Sequence, residues 1–145
     1  MIKPILVEQT YTLRHHLLVP HLTLADCCLP GDEEEDTQHF GAFQSNLLVG
    51  IVSVYALAHP SFKDIAPYSW QLRAIAVVPE WRQHGIGKAL IDVSMQYCRE
   101  QHGQRIWCHA REPVLDFYGH LGWRQQGERF VIPKIGPHYM MLNDL

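Results

Sequence analysis

Arg82-Gln83-His84-Gly85-Ile86-Gly87-Lys88-Ala89 decides how this chain reads. A strand-like run, Leu72 to Val78, precedes it and ends at Pro79, and a helix-like run, Gly87 to His102, follows. Strand, glycine-bearing turn and helix make a geometry that holds phosphate. The first four N–H groups of a helix lack intrahelical partners, and the macrodipole puts roughly +0.5 charge at that end. Gly85 and Gly87 carry no Cβ, so a pyrophosphate can approach the backbone, and Arg82 adds a charged donor. The spacing is not that of a Walker loop, and Leu90 stands where a dinucleotide fingerprint needs its third glycine.

A second pattern lies downstream in Ala110-Arg111-Glu112-Pro113-Val114-Leu115-Asp116-Phe117-Tyr118-Gly119-His120-Leu121-Gly122-Trp123. The first string fits R-x-x-G-x-G/A and the second resembles A-x-x-x-x-x-x-F-Y-x-x-x-G-F, with Trp123 in place of Phe. Together they resemble the GNAT N-acetyltransferase superfamily. Leu13-Arg14-His15, Pro30-Gly31-Asp32, His39 to Phe43 and the Ile135-Gly136-Pro137-His138-Tyr139-Met140-Met141 tail look like a bacterial subgroup distantly similar to the ElaA-type enzymes, so the resemblance covers nearly the whole chain. It implies an α/β fold, a central mixed sheet flanked by helices in one domain spanning residues 1–145. It implies acetyl-CoA as co-substrate. The backbone of Ile75, Ala76 and Val77 would bind the pantetheine arm as an added strand does, and Arg82, Gln83, His84, Gly85, Ile86, Gly87, Lys88 and Ala89 the pyrophosphate. Tyr118 matches the family's general acid. Arg111 stands where the family often has a cofactor-contacting Asn; it would meet a phosphate or stay solvated.

Composition sets the outer bounds. The chain has 145 residues, 47% hydrophobic and 19% charged, which suits one globular domain. A net charge of −3 gives no basic footprint for nucleic acid. The longest largely apolar run, Leu47 to Ala58, is interrupted by Gly50 and Ser53 and falls short of the ~20 residues that span a bilayer. No signal peptide pattern opens the chain, so the expected location is the cytoplasm. Cys27, Cys28, Cys98 and Cys108 form no C-x-x-C, and free thiols are expected. Asp32-Glu33-Glu34-Glu35-Asp36 reads as a solvated loop of five repelling charges. The oligomeric state stays open, a homodimer included.

Periodicity places strands at Ile5–Gln9, His39–Gln44, Leu47–Ala58, Ser69–Val78, Gln104–Ala110, Trp123–Ile132 and Tyr139–Leu142. Helices are expected at Tyr11–Leu18, Gly87–His102, stopped by Gly103, and Pro113–Leu121, with a loop from Pro60 to Pro67. Leu22–Leu29 fits neither template.

Acetyl transfer to an amine needs a neutral nucleophile, a stabilised oxyanion and a proton for the leaving thiolate. For a lysine-like amine of pKa ~10.4, deprotonation at pH 7 costs roughly 4.6 kcal/mol, so a base must open a proton path. Where many relatives place a glutamate, this chain has Gln71, which cannot serve. Arg73 should share its face, and a cation there suits a carboxylate-bearing substrate, the oxyanion or a salt bridge. Histidine titrates near neutrality, and ten are present. The candidates rank His138, in a Gly-Pro-His turn, then His109, then His39. The leading reading is an N-acetyltransferase acting on a primary amine of a small molecule or peptide by direct attack. An acyl-CoA sensor without turnover is the alternative, and a histidine-rich metal binder rests on composition alone; no metal is expected, since no H-x-x-x-H or H-E-x-x-H pattern occurs.

Overall fold

From Val49 to Tyr55 every residue of β3 (Leu47–Tyr55) is buried, the pattern of a strand covered on both faces in the middle of a sheet. It pairs antiparallel with β2 (Gln38–Gln44) on one side and β4 (Ser69–Val77) on the other. The computed structural model describes residues 1–62 and 68–145. Beyond these strands lie β1 (Ile2–Ile5), β5 (Arg105–Arg111), β6 (Arg124–Ile132) and β7 (Gly136–Asp144). The seven strands run β1-β2-β3-β4-β5-β7-β6, antiparallel except for β4 with β5. This is the mixed sheet flanked by helices that the motifs imply.

Helix α2 (Ile86–Glu100) forms the crossover between β4 and β5. Its buried residues, Ile86, Leu90, Ile91, Ser94, Met95 and Cys98, recur at i, i+4, i+5, i+8, i+9 and i+12, one apolar stripe. That stripe packs on Trp70, Leu72, Val52 and Ile106, together with Tyr118 of α3 (Leu115–His120). Gly50 permits the close approach, because a Cβ there would stand 3.1 Å from Leu90 Cδ1. Fully burying each such aliphatic side chain is worth about 1.5–3 kcal/mol. The opposite face is covered near β1 and β3 by α1 (Tyr11–Leu13), which continues as a wider π-type turn, Arg14–Leu18.

Several boundaries differ from the sequence expectation. The first strand is Ile2–Ile5, and Val7–Thr10 is a 3-10 turn in which the Thr10 hydroxyl donates to Val7 O at 2.6 Å. The third strand stops at Tyr55, and the Pro60–Pro67 loop lies in part outside the described residues. At the end of α2 the left-handed residue is His102 (φ 65), while Gly103 is needed because a Cβ would meet Trp70 at 2.6 Å. The Pro113 helix begins as a 3-10 turn, Glu112–Val114. Gly136-Pro137-His138 is not a turn but the start of β7; the turn is at 133–135.

Asp32 corrects the reading of the acidic run. It is buried and receives Arg14 Nη1 at 2.7 Å, Arg14 Nη2 at 3.0 Å and the Tyr55 hydroxyl at 2.6 Å. Glu33 to Glu35 and Asp36 remain exposed, as five repelling charges would require once one of them is neutralised by an arginine.

Candidate active site

β4 and β5 pair over three residues, ending at Gln71 with Trp107, although both strands continue to Val77 and Arg111. Past that point no described strand pairs with the β5-facing edge of β4, and the two strands diverge into a wedge. One extra residue on β4 shapes the wedge's wall. Ile51 pairs with Ala76 but Ser53 with Arg73, so two steps on β3 face three on β4. The surplus is a β-bulge at Ala74, whose φ of 55 puts a non-glycine residue in the left-handed region. The alternation is reset across it: Leu72 and Ile75 pack into the α2-side core, while Ala76 packs on the α1 side with Ile51. From Ile75 to Val77 the wedge-facing edge of β4 is therefore backbone that no described strand pairs, with Val77 O taken by the Arg82 side chain.

The wedge leads to the start of α2. Gly85 caps the helix with φ 79, and a Cβ there would meet nothing within 4 Å, so the approach to the helix end is open. The first helical bond is Ala89 N–H to Gly85 O at 3.0 Å, which leaves the N–H groups of Ile86, Gly87 and Lys88 without intrahelical partners. Arg82 holds the turn to the strand, its Nε donating to Val77 O at 2.9 Å. His84 Nδ1 donates to Arg82 O at 2.7 Å, and Gln83 takes φ 63. Lys88 pairs with Asp92 on the exposed helix face. Gly87 faces α3, where a Cβ would stand 3.2 Å from Phe117 Cζ.

Tyr118 lies on the α2 side of β5. It is buried, packed edge-on against Trp123 and Phe117, and hydrogen-bonded to Cys108, one residue past the last β4–β5 pair. Burial, then Cys108, pushes its pKa well above 10, so the phenol holds its proton at working pH. Burial raises the Cys108 thiol to about 12, and Cys98 likewise to about 12. These are protonated thiols in the core, not nucleophiles.

On the other face the wedge is lined by aromatic rings and histidines. His109, two residues beyond Trp107, lies within 4.8 Å of the Phe130 ring centroid, 5.1 Å of Trp107 and 5.6 Å of His59. Burial, followed by the fields of His59, His138 and Arg73, pulls its pKa down to about 4. It is half-buried and makes no hydrogen bond to the described residues. His138 is buried in β7, stacked on Phe130, and its Nδ1 donates to Gly136 O at 2.7 Å. That bond fixes the tautomer and leaves the Nε2 lone pair free. His39, the third candidate, is fully engaged: Nε2 donates to Asp32 O and Nδ1 accepts from Ser53, and burial lowers its pKa. Its role is structural. Arg111 is half-buried, and its Nη2 donates to Leu18 O at 2.8 Å.

Gln71 and Arg73 share one face, as strand alternation requires, and Gln71 is buried with Oε1 lacking a partner among the described residues. Three features were not legible beforehand: the Ala74 bulge, the part played by His59, and the Arg14–Asp32 pair. The bulge carries no residue signature, since Ala rather than Gly occupies it. Among the described residues no group of three or more His, Cys, Asp or Glu side chains has the geometry to hold a metal ion, and no helix is long and apolar enough to cross a membrane.

A splayed parallel strand pair, a bulge on its first strand and a glycine-opened helix end define an acyl-CoA-type cleft. The chain belongs to the GNAT acetyltransferase family, whose pattern matches residues 4–123. It is 35% identical over 144 residues to YitI, an uncharacterized N-acetyltransferase of Bacillus subtilis strain 168, covering 99% of this chain and 95% of that one. An aminoglycoside 6'-N-acetyltransferase solved with coenzyme A has a TM-score of 0.78 at 15% identity, over 99% of this chain and 96% of that one. The aminoglycoside 6'-N-acetyltransferase of Enterococcus faecium gives 0.76 at 16% identity, over 99% and 96%. At such identities the likeness is one of fold. Family membership makes the protein an acyl-CoA-dependent acetyltransferase with an amine acceptor.

Proposed function

We propose that the protein moves an acetyl group from acetyl-CoA to a primary amine by direct attack, with Tyr118 as general acid and His138 as general base. The observation that carries this reading is the wedge itself, opened beyond Gln71 and Trp107 with the Tyr118 hydroxyl at Cys108 beside its apex. The residues present fit the cofactor. The wedge-facing edge of Ile75, Ala76 and Val77 offers backbone that no described strand pairs, and the free amides of Ile86 to Lys88 face an approach that no side chain blocks at Gly85. When bound, acetyl-CoA supplies a thioester-activated acetyl group.

The chain's own residues then have three tasks. The bulge at Ala74 re-aims the β4 backbone where the reacting carbonyl would need donors. Tyr118, its pKa raised by burial, keeps its proton until a thiolate develops beside it and gives the proton up only to such a developing anion. His138 receives the amine proton at Nε2, directly or through water, since its Nδ1 is already committed to Gly136. The protonated core cysteines support direct transfer over an acyl-enzyme route.

Gln71 in place of a carboxylate base favours a second reading, an acyl-CoA-binding module without turnover. A thiol-release assay with acetyl-CoA over a panel of amines separates the two, with the acetylated amine identified by mass. Release with an acceptor supports the enzyme. Tight acetyl-CoA binding with no release by any amine supports the sensor.

A further inference from the structure

We infer that the acceptor is a small amine that also carries a carboxylate, as an amino acid does, and that Arg73 binds this carboxylate while Gln71 Oε1 takes an amine N–H. The inference rests on the acetyl-transfer reading and names its substrate class.

Arg73 and His109 each lie two residues beyond the last β4–β5 pair, on the same face, so they confront one another across the mouth of the wedge. The Arg73 guanidinium lies 5.1 Å from the Tyr55 ring centroid, and its Nη1 donates to Pro30 O at 3.2 Å. It has no carboxylate partner among the described residues. The neighbouring acid, Asp32, is occupied by Arg14, Tyr55 and the Leu29 amide. Tyr55 in turn is held by Arg14 and Asp32, so Arg73 stacks on a fixed ring with the rest of its planar fork unspent.

Among the described residues the groups whose fields act on His109 are His59, His138 and Arg73, none of them a carboxylate. A polycationic acceptor would enter this mouth against a positive charge. An acceptor with a carboxylate enters it with attraction. Gln71 completes the pair. It is 6% exposed, and its Oε1 has no donor among the described residues. Its Cα lies two strand residues, roughly 6.6 Å, from that of Arg73. One buried acceptor and one cation at that spacing match an amine and a carboxylate on a single small molecule.

The test compares amino acids, their decarboxylated amines and an aminoglycoside as acceptors with acetyl-CoA. The expected kcat/KM is about tenfold or more higher for the amino acid than for its decarboxylated partner, the weight of one charge-assisted hydrogen-bond pair. In Arg73→Gln that preference collapses, and Arg73→Lys restores only part of it, because the ammonium lacks the fork. Acetyl-CoA affinity by calorimetry checks that both variants are folded. Equal rates for the two amines, or a preference for the aminoglycoside, overturns the inference while leaving acetyl transfer standing. If no amine releases thiol, calorimetric titration of the amino acid into the protein with coenzyme A decides. Binding lost in Arg73→Gln upholds the carboxylate site, and absence of binding overturns it.

Discussion

Arg14 and Asp32 face one another through two N–H···O contacts, Nη1 to Oδ2 at 2.7 Å and Nη2 to Oδ1 at 3.0 Å, beneath the β3 strand. The guanidinium is 2% exposed and also donates to Cys27 O, Ser53 Oγ and Tyr55 Oη. This fork ties the loop ending at Asp32 to the face that carries Arg73. Removing one partner leaves a buried charge, so Asp32→Asn should cost about 3–5 kcal/mol in urea unfolding at pH 7. Burial alone would raise the Asp32 pKa, but the bonds from Arg14, Tyr55 and Leu29 outweigh it and hold it below the usual range. A depressed folded value means stability that is present above the unfolded value of about 3.9 and lost as pH falls through the folded one. The wild type should therefore lose stability more steeply than Asp32→Asn below about pH 4.

The Ala74 bulge invites a paired test. Ala74→Gly removes a left-handed penalty of about 1–2 kcal/mol and keeps the bulge, so Tm should rise. Deleting Ala74 restores unbroken alternation from Leu72 through Val77 and leaves the core faces as they are. That variant should fold with Tm within about 2–4 °C, roughly 1 kcal/mol, yet lose acetyl-CoA binding in calorimetry. Retained binding would show that the bulge is incidental to the site.

The helix end gives a third test. Gly87→Val places a branched Cβ against Phe117, with 3.2 Å available, and crowds the free amides. Acetyl-CoA affinity should fall at least about tenfold, one lost charge-assisted contact or more. Far-UV circular dichroism should stay unchanged, since valine costs a helix only about 0.7 kcal/mol or less. Unaltered affinity would remove the phosphate role of the turn.

How the chain announces these parts is uneven. The glycine turn, α2 and the Phe117-Tyr118 helix were legible because each rests on local spacing: free amides at a helix start, an apolar stripe at period 3.6, and a short helix before Gly122-Trp123. The wedge was not, since strand divergence is a matter of pairing and nothing in Leu72 to Val77 distinguishes a paired edge from a free one. Five acids in a row read as solvated, and only the long-range partner Arg14, 18 residues away, buries Asp32. Gly136 and Pro137 read as a turn before His138, yet Pro137 sits opposite Val131 at the start of β7, a position that tolerates proline.

Tyr118→Phe should keep the ring packing against Trp123 and lose the proton. General acid catalysis is typically worth about 10²–10⁴-fold, so kcat should fall into that range with a good acceptor. Acetyl-CoA affinity should hold. A fall under about threefold, far short of that range, would assign thiolate protonation to water.

The two histidines of the acceptor face can be told apart by pH. A general base works only when unprotonated, so kcat/KM should decline as pH falls through the range where imidazole titrates. His138 has its Nδ1 proton pinned to Gly136 O and offers Nε2. His138→Asn should lower the plateau and flatten that acid limb. His109, held down to about 4 by burial and by its cationic neighbours, stays neutral across the same range. His109→Asn should therefore change the rate without moving the limb, while easing the loss of stability that neutral buried imidazoles impose as pH drops below about 6.5. The sign follows because a depressed histidine pKa lets the unfolded chain take up the proton first. If the limb survives in His138→Asn at full height, His138 serves the β6–β7 packing with Phe130, and the proton leaves the amine through water.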